Sequence, residues 1–450
     1  MAPEKAIANP RNLFQCSGFV SSLCLQILVL LVLPGTVASQ TIVTKLPGYD
    51  GDLPFTLETG YVGVGDSNQS QLFYYFVESQ RSPSEDPVLL WLTGGPGCSV
   101  LSAFFYESGP LAFSYTDYNG SLPSLHYNPY TWTQGLNIIY VDAPVGTGFS
   151  YSTTQEGYYI DDYESASQIY QFLKEWLLQH PQYLENILYI GGDSYSGIPL
   201  PMIVQEIFNG NLNRTAQPYL NLRSALESCN ADFVSVDESN VECVTDLQTI
   251  DTLLLQINLM QVLEPNCQTA TPRSSKEYLQ RRYLEENFDE STLLSKTPAY
   301  WCREYNYVLS GVWANDKTVR AALNIRNGTI GVWKRCNSSI AYTKTVTSSV
   351  EYHKNLSNTN LRALIYSGDH DLSVTHIGTQ NWIRYLNLTI SEVWRAWYVD
   401  GQVAGYTEKF SNSDFTLTYA TVKGAGHVAP EYKAKECYDM MDRWLAYYPL

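Results

Sequence analysis

The stretch Ile187-Leu188-Tyr189-Ile190-Gly191-Gly192-Asp193-Ser194-Tyr195-Ser196-Gly197 decides how the rest of the chain is read. A short apolar run, too short for a helix and rich in β-formers, ends in a glycine pair, a serine and further small residues. Such a run builds a sharp strand-to-helix turn that pushes the serine oxygen out of the sheet and points a helix N-terminus at it. Small neighbours are needed because strand and helix pass close together. The usual G-x-S-x-G spacing reads here Gly192-x-Ser194-x-Ser196, with serine at the last small position. Ser194 is the candidate nucleophile.

Upstream, Val88-Leu89-Leu90-Trp91-Leu92 reads as a buried strand running into Thr93-Gly94-Gly95-Pro96-Gly97-Cys98. A strand that ends in a glycine-rich turn can present bare backbone N–H groups to a developing negative charge. Gln71-Leu72-Phe73-Tyr74-Tyr75-Phe76-Val77 precedes it as a strand candidate, and Ile138-Ile139-Tyr140-Val141-Asp142 follows, turning through Ala143-Pro144-Val145-Gly146-Thr147-Gly148. The spacing of Ala166, Ile169, Tyr170, Leu173, Trp176 and Leu177 predicts a helix over 162–179, capped by Asp161 or Asp162 and ended by His180-Pro181. Strand, helix, strand in this order implies a parallel sheet with right-handed crossovers.

Downstream, a helix is expected over about 196–208, after which the pattern weakens. Residues 209–239 offer only Phe233-Val234-Ser235-Val236 and no convincing core strand, while 241–263 reads as helical. Residues 268–296, with Arg273, Lys276, Arg281 and Arg282, read as an exposed, protease-sensitive linker. Regular grammar returns at Leu361-Arg362-Ala363-Leu364-Ile365-Tyr366-Ser367-Gly368-Asp369-His370-Asp371, a strand with acids at its C-terminal end. One arm of a hairpin over 394–399 turns at Asp400-Gly401, and a last strand over 415–422 leads into Lys423-Gly424-Ala425-Gly426-His427. Pro430 suits the start of a final helix whose Cys437, Tyr438, Met441, Trp444 and Leu445 share a face.

A serine nucleophile needs a base to take its proton, and the base needs an acid to fix its tautomer. Of six histidines, His427 alone sits in a glycine-flanked loop directly after an expected core strand. His180 reads as a helix terminus, and His126, His353 and His376 as surface or loop residues. Ser194, Asp371 and His427 follow the nucleophile, acid, base order of α/β-hydrolases, although spacing alone does not separate Asp371 from Asp369.

The bulk numbers bound the remaining possibilities. A chain of 450 residues with 44% hydrophobic content can bury a large core as one elaborated α/β domain or two domains. Its net charge of −17, with no basic run, argues against nucleic acid and anionic membranes as partners. Lys5 and Arg11 precede an apolar stretch over 19–33, then Pro34-Gly35 and small residues, so 1–39 reads as a signal peptide cleaved before Gln40. No later segment reaches a transmembrane length. Seven sequons, at Asn68, Asn119, Asn213, Asn327, Asn337, Asn355 and Asn387, favour a glycoprotein of the secretory route, in the vacuole or outside the cell. Beyond Cys16 and Cys24 of the signal, seven cysteines remain, room for three disulfides and one free thiol; their scattered spacing is wrong for a zinc site. No metal or cofactor is expected.

Four ordered motifs, Trp91-Leu92-Thr93-Gly94-Gly95-Pro96-Gly97-Cys98, Gly192-Asp193-Ser194-Tyr195-Ser196-Gly197, Gly368-Asp369-His370-Asp371 and Gly424-Ala425-Gly426-His427, resemble the plant serine carboxypeptidase-like family (peptidase family S10) over essentially the whole mature chain. The resemblance implies an α/β-hydrolase fold with a helical insertion, the core spanning 40–208 and 305–450 and the insertion 209–304. It puts the triad on Ser194, Asp371 and His427 and the oxyanion hole on the backbone N–H groups of Gly95 and Tyr195. It also implies disulfides Cys98–Cys336, Cys229–Cys243 and Cys267–Cys302, with Cys437 free. Substrate contacts fall on Thr93, Gly94, Glu107 and Asp193.

Peptidases of that family grip a C-terminal carboxylate with an asparagine at the Thr93 position and glutamates at the Glu107 and Asp193 positions. A hydroxyl in place of an amide offers one donor instead of two, and Asp193 is one methylene shorter than glutamate. Both replacements resemble the acyltransferase branch, which moves an acyl group from a 1-O-β-acylglucose to a hydroxyl acceptor of plant secondary metabolism. A serine-type carboxypeptidase is the alternative. The resemblance also implies a few dozen further residues between Arg223 and Ser224, beginning with a core strand. Their lack predicts a shortened insertion and a sheet with a strand missing beside 361–366; a skipped exon in a splice or gene-model variant of weak or absent activity, a sheet repaired by another segment, and a misfolded inactive product are the alternatives.

Overall fold

The computed structural model describes residues 40–115, 118, 120–212, 218–227, 257–265 and 303–450. The signal peptide, Asn119, Asn213, the Cys229–Cys243 and Cys267–Cys302 pairings, the short apolar piece at 233–236 and the linker over 268–296 lie outside these residues, as does most of the insertion.

The core is a twelve-stranded mixed sheet. Its strands are β1 (Thr41–Val43), β2 (Leu57–Val64), β3 (Ser70–Val77), β4 (Val88–Leu92), β5 (Asn137–Val141), β6 (Leu188–Gly192), β7 (Leu222–Glu227), β8 (Arg362–Gly368), β9 (Thr389–Val399), β10 (Gln402–Asn412) and β11 (Phe415–Val422). They lie in the order β1-β2-β3-β5-β4-β6-β7-β8-β11-β10-β9, with Tyr151–Ser152 pairing β3 as the twelfth. From β5 through β11 the neighbours are parallel, and antiparallel strands flank that centre on both sides. The expected parallel centre is present, with the catalytic candidates at its C-terminal strand ends.

Central strands are buried on both faces, so their side chains alternate between two cores. Leu89 and Trp91 of β4 and Tyr189 of β6 face one core, closed by Cys437, Met440, Met441 and Trp444 of the C-terminal helix Ala434–Leu445. Val88, Leu90 and Leu92 of β4 with Leu188 and Ile190 of β6 face the other. That second core is closed by Ile169, Phe172, Leu173 and Trp176 of one helix (Asp162–Gln179) and Leu200, Ile203, Val204 and Ile207 of the next (Pro199–Leu212). Each such side chain contributes about 1.5–3 kcal/mol by leaving water. The first helix starts where expected: Asp161 is the N-cap, its carboxylate accepting from Glu164 N–H at 2.9 Å.

Four expectations are corrected. The sheet is not interrupted: β7, built from the very residues on either side of the expected break, pairs in parallel with β6 (Ile190 opposite Ala225) and with β8 (Ala225 opposite Ala363). Its ladder gives the backbone groups of β8 a neighbour, and a register shift at Leu188/Tyr189 absorbs the irregular entry. Residues 257–263 are turns rather than the end of a helix. His353 is not a surface or loop residue: it lies buried in the helix Val350–Leu356, its ring 4.8 Å from that of Trp382. The expected final helix is two pieces, Ala429–Tyr432 and Ala434–Leu445.

Candidate active site

Ser194 stands directly beyond β6 with φ 55°, a left-handed conformation costly for a non-glycine residue. Its neighbours show why the flanking positions are small. A Cβ on Gly192 would lie 2.3 Å from Ser196 Oγ and 2.6 Å from the Leu92 carbonyl. The chain then winds through the short turn Ser194–Gly197 into the helix Pro199–Leu212.

Three strand-end loops converge here. His427, from the loop after β11, has Nε2 at 2.9 Å from Ser194 Oγ and Nδ1 at 2.9 Å from Asp371 Oδ2, from the loop after β8. The other oxygen of Asp371 accepts the backbone N–H groups of Ser373 at 2.8 Å and Val374 at 3.1 Å, which fixes the carboxylate plane. Asp369 is turned away and accepts Gly424 N–H at 2.6 Å, so geometry separates the two acids where spacing did not. Burial opposes charging of His427, but the hydrogen bond and charge of Asp371, with Asp193 beyond, outweigh it and raise its pKa above the ordinary value. The arrangement can take the proton of Ser194 and hold it as an imidazolium.

The glycine-rich turn after β4 packs against the elbow: a Cβ on Gly94 would lie 2.6 Å from Tyr195 N and 2.7 Å from Ser194 Cβ. Neither Gly95 N–H nor Tyr195 N–H has an acceptor among the described residues. Tyr195 is held from its far end, where its hydroxyl donates to Asp162 at 2.8 Å beside that of Tyr342. The disulfide Cys98–Cys336 ties the turn to a later loop, and Cys437 is free and buried, as the resemblance implies.

Beside the turn, Thr93 Oγ1, Glu107 Oε2 and Asp193 Oδ1 are buried polar atoms without a hydrogen-bond partner among the described residues. Burial first, then the charge of Asp193, pushes the Glu107 carboxyl well above the carboxylate range; burial pushes Asp193 up to about 6. Residues that sequence reasoning missed form the adjoining wall. Glu431, raised to about 7 by burial, accepts from Tyr307 Oη at 2.7 Å. Arg303 binds Glu264 at 2.7 Å and stacks on Tyr432, while Arg335 stacks on Tyr307 at 4.0 Å. Glu431 follows His427 by four residues, the one signal that could have pointed to it.

Of the sequons, Asn68, Asn327, Asn355 and Asn387 are exposed. Asn337 is half-buried, and its Nδ2 donates to the Gly146 carbonyl at 3.0 Å. Among the described residues no helix is long and apolar enough to cross a membrane.

The chain matches the family model described as serine carboxypeptidase over residues 47–227 and 221–447, and the two matches meet on β7. It is 40% identical to serine carboxypeptidase-like 13 of Arabidopsis thaliana, covering 95% of this chain and 98% of that protein. It is 41% identical to serine carboxypeptidase-like 17 of the same plant, over 94% and 97%. Among solved structures, the prohormone-processing carboxypeptidase Kex1 of Saccharomyces cerevisiae superposes with a TM-score of 0.65 at 18% identity, covering 87% of this chain and 91% of that one. That likeness carries the fold: an α/β-hydrolase.

Proposed function

Because this chain belongs to the serine carboxypeptidase family, we propose that Ser194, His427 and Asp371 are its catalytic triad and that it acts as a serine acyltransferase. The donor is a 1-O-β-acylglucose and the acceptor a hydroxyl of a small plant metabolite. His427 Nε2 removes the Ser194 proton as Oγ attacks the ester carbonyl, and the oxyanion is met by the N–H groups of Gly95 and Tyr195. Collapse breaks the bond from the carbonyl carbon to the glucose oxygen, and His427 gives that oxygen its proton. The acceptor hydroxyl then loses its proton to His427, attacks the acyl-serine and leaves as the ester; the proton returns to Ser194 Oγ.

The observation that favours transfer over peptide hydrolysis is the combination at the substrate wall. Thr93 and Asp193 stand, with unpaired polar atoms, where the family's peptidases carry an amide and a longer acid. A serine-type carboxypeptidase is the second reading, supported by Glu107, whose raised pKa leaves it a protonated donor able to grip a carboxylate. An inactive splice or gene-model variant is a further reading; pairing of 222–227 with both neighbouring strands supports a folded, active chain over it. The remaining expectations are a secretory route ending in vacuole or apoplast, with glycans on the exposed sequons and no nucleic-acid or membrane partner.

The test is to offer the purified glycosylated protein a 1-O-β-acylglucose with a panel of alcohols, and separately an N-blocked dipeptide. New ester with release of glucose supports the transferase. Release of the C-terminal amino acid, with only free acid from the glucose ester, supports the peptidase and overturns the first reading.

A further inference from the structure

Two consecutive carbonyls of the segment 257–265 reach the two halves of the acid–base pair. Leu259 O accepts the N–H groups of Leu372 at 2.9 Å and Ser373 at 3.1 Å, immediately after Asp371. Met260 O accepts the N–H of His427 itself at 2.8 Å. Next in the chain, buried Gln261 bridges the same two loops through its side chain. Its amide nitrogen donates to the Gly424 carbonyl at 3.0 Å, and its oxygen lies 3.0 Å from His370 Nδ1.

The approach is close enough to dictate sequence on the other side: a Cβ on Gly426 would lie 2.2 Å from Met260 O and 3.0 Å from Gln261 Cβ. A second fastening lies at the segment's end. Glu264 is held by Arg303, whose guanidinium also donates to the Glu431 carbonyl at 3.3 Å, on the short helix that follows His427.

We propose that the segment 257–265 is a strap that positions the catalytic acid and base against each other, with Gln261 as its principal positioning residue. The loops carrying Asp371 and His427 leave different strands, and a strap bonded to both prevents their relative drift. Displacing one catalytic group by about 1 Å can cost roughly 100-fold in rate, so a positioning role is expected in the chemical step. The inference rests on the reading of Ser194, His427 and Asp371 as catalytic, and not on the choice between transferase and peptidase.

The test uses the full glycosylated chain and a fluorophosphonate that phosphonylates Ser194 Oγ with loss of fluoride. Rate constant and affinity are separated from the concentration dependence of labelling. For Gln261→Ala the maximal labelling rate constant is expected to fall about tenfold or more with affinity changed by less than about twofold, the signature of a lost reacting geometry. A rate constant that is unchanged in the folded fraction, with only melting temperature or labelled fraction reduced, would mean a purely structural role and overturn the proposal. Should Gln261→Ala not fold, Gln261→Glu decides by the same readouts, since it keeps the acceptor toward His370 and removes the donor toward Gly424. Failure of the unsubstituted protein to label would instead overturn the catalytic reading.

Discussion

The imidazole of His427 lies 2.9 Å from the hydroxyl of Ser194 across a sequence separation of 233. The sheet brings them together by carrying both loops at the C-terminal ends of its parallel strands. Ser194→Ala is therefore expected to abolish fluorophosphonate labelling. Asp371→Asn should keep the fold and lower the labelling rate by roughly 10⁴-fold, because the imidazole loses its tautomer and its counter-charge. Retained labelling in Ser194→Ala would place the nucleophile elsewhere.

A base must be neutral to accept a proton, so the rate should climb as pH rises through the pKa of His427. Asp371 and Asp193 raise that pKa above the ordinary 6.5, which puts the acid limb of the rate profile above that value. Asp193→Asn removes one of the two negative charges, and its limb should move to lower pH. An unmoved limb would show that Asp193 does not act on His427.

Much of this was legible in advance. Short apolar runs marked β4, β5 and β6, helical spacing marked the helix Asp162–Gln179, and glycine-flanked loops marked Ser194 and His427. What escaped did so for physical reasons. β2 (Leu57–Val64) carries Glu58, Gly60 and Gly63 inside it, so its composition reads as a loop until pairing with β3 buries it. β7 has no apolar run to announce it; neighbours on both sides make it a strand. The strap at 257–265 meets His427 through a backbone carbonyl, which every residue has, and no sequence pattern records that Met260 supplies it.

Stability should fall as pH rises from about 5 to about 8. Burial raises Asp142 and Asp193 to about 6 and Glu431 to about 7, so the folded state holds protons that the unfolded chain releases near 4. A raised acid contributes its full stability below the unfolded pKa and loses it as pH climbs through the folded one, each tenfold difference in proton affinity being worth roughly 1.4 kcal/mol. The raised pKa of His427 acts in the same direction, its contribution being present at low pH and lost above its folded value. Melting temperature measured across this range should drop toward the alkaline side. A flat or rising profile would contradict these protonation states.

β7 offers a direct check on the continuity of the sheet. Ala225 pairs with Ile190 on one side and Ala363 on the other, so Ala225→Pro removes an N–H from a central ladder that has no edge to hide it. Soluble secreted yield should collapse, whereas Tyr219→Pro, before the strand, should be tolerated far better. Equal yields from both would mean that 222–227 does not pair in the folded protein.

The last prediction concerns the floor of the oxyanion site. Gly94 has no room for a side chain: an added Cβ would stand 2.6 Å from Tyr195 N, 2.7 Å from Ser194 Cβ and 2.9 Å from the Asp193 carbonyl. Two of these atoms belong to backbone that cannot rotate away, so Gly94→Ala must push the turn after β4 off the elbow and carry Gly95 N–H with it. The donors would then miss the position where the oxyanion forms, a loss of roughly 10²–10³ in rate for one donor. Affinity for the substrate should change far less, because the missing interaction exists only in the transition state. Gly331 is the matched control: a Cβ added there would meet nothing within 4 Å, its backbone is not left-handed, and Gly331→Ala should keep full rate. If Gly94→Ala kept the wild-type rate constant while folding normally, the backbone N–H of Gly95 would have no part in stabilising the oxyanion.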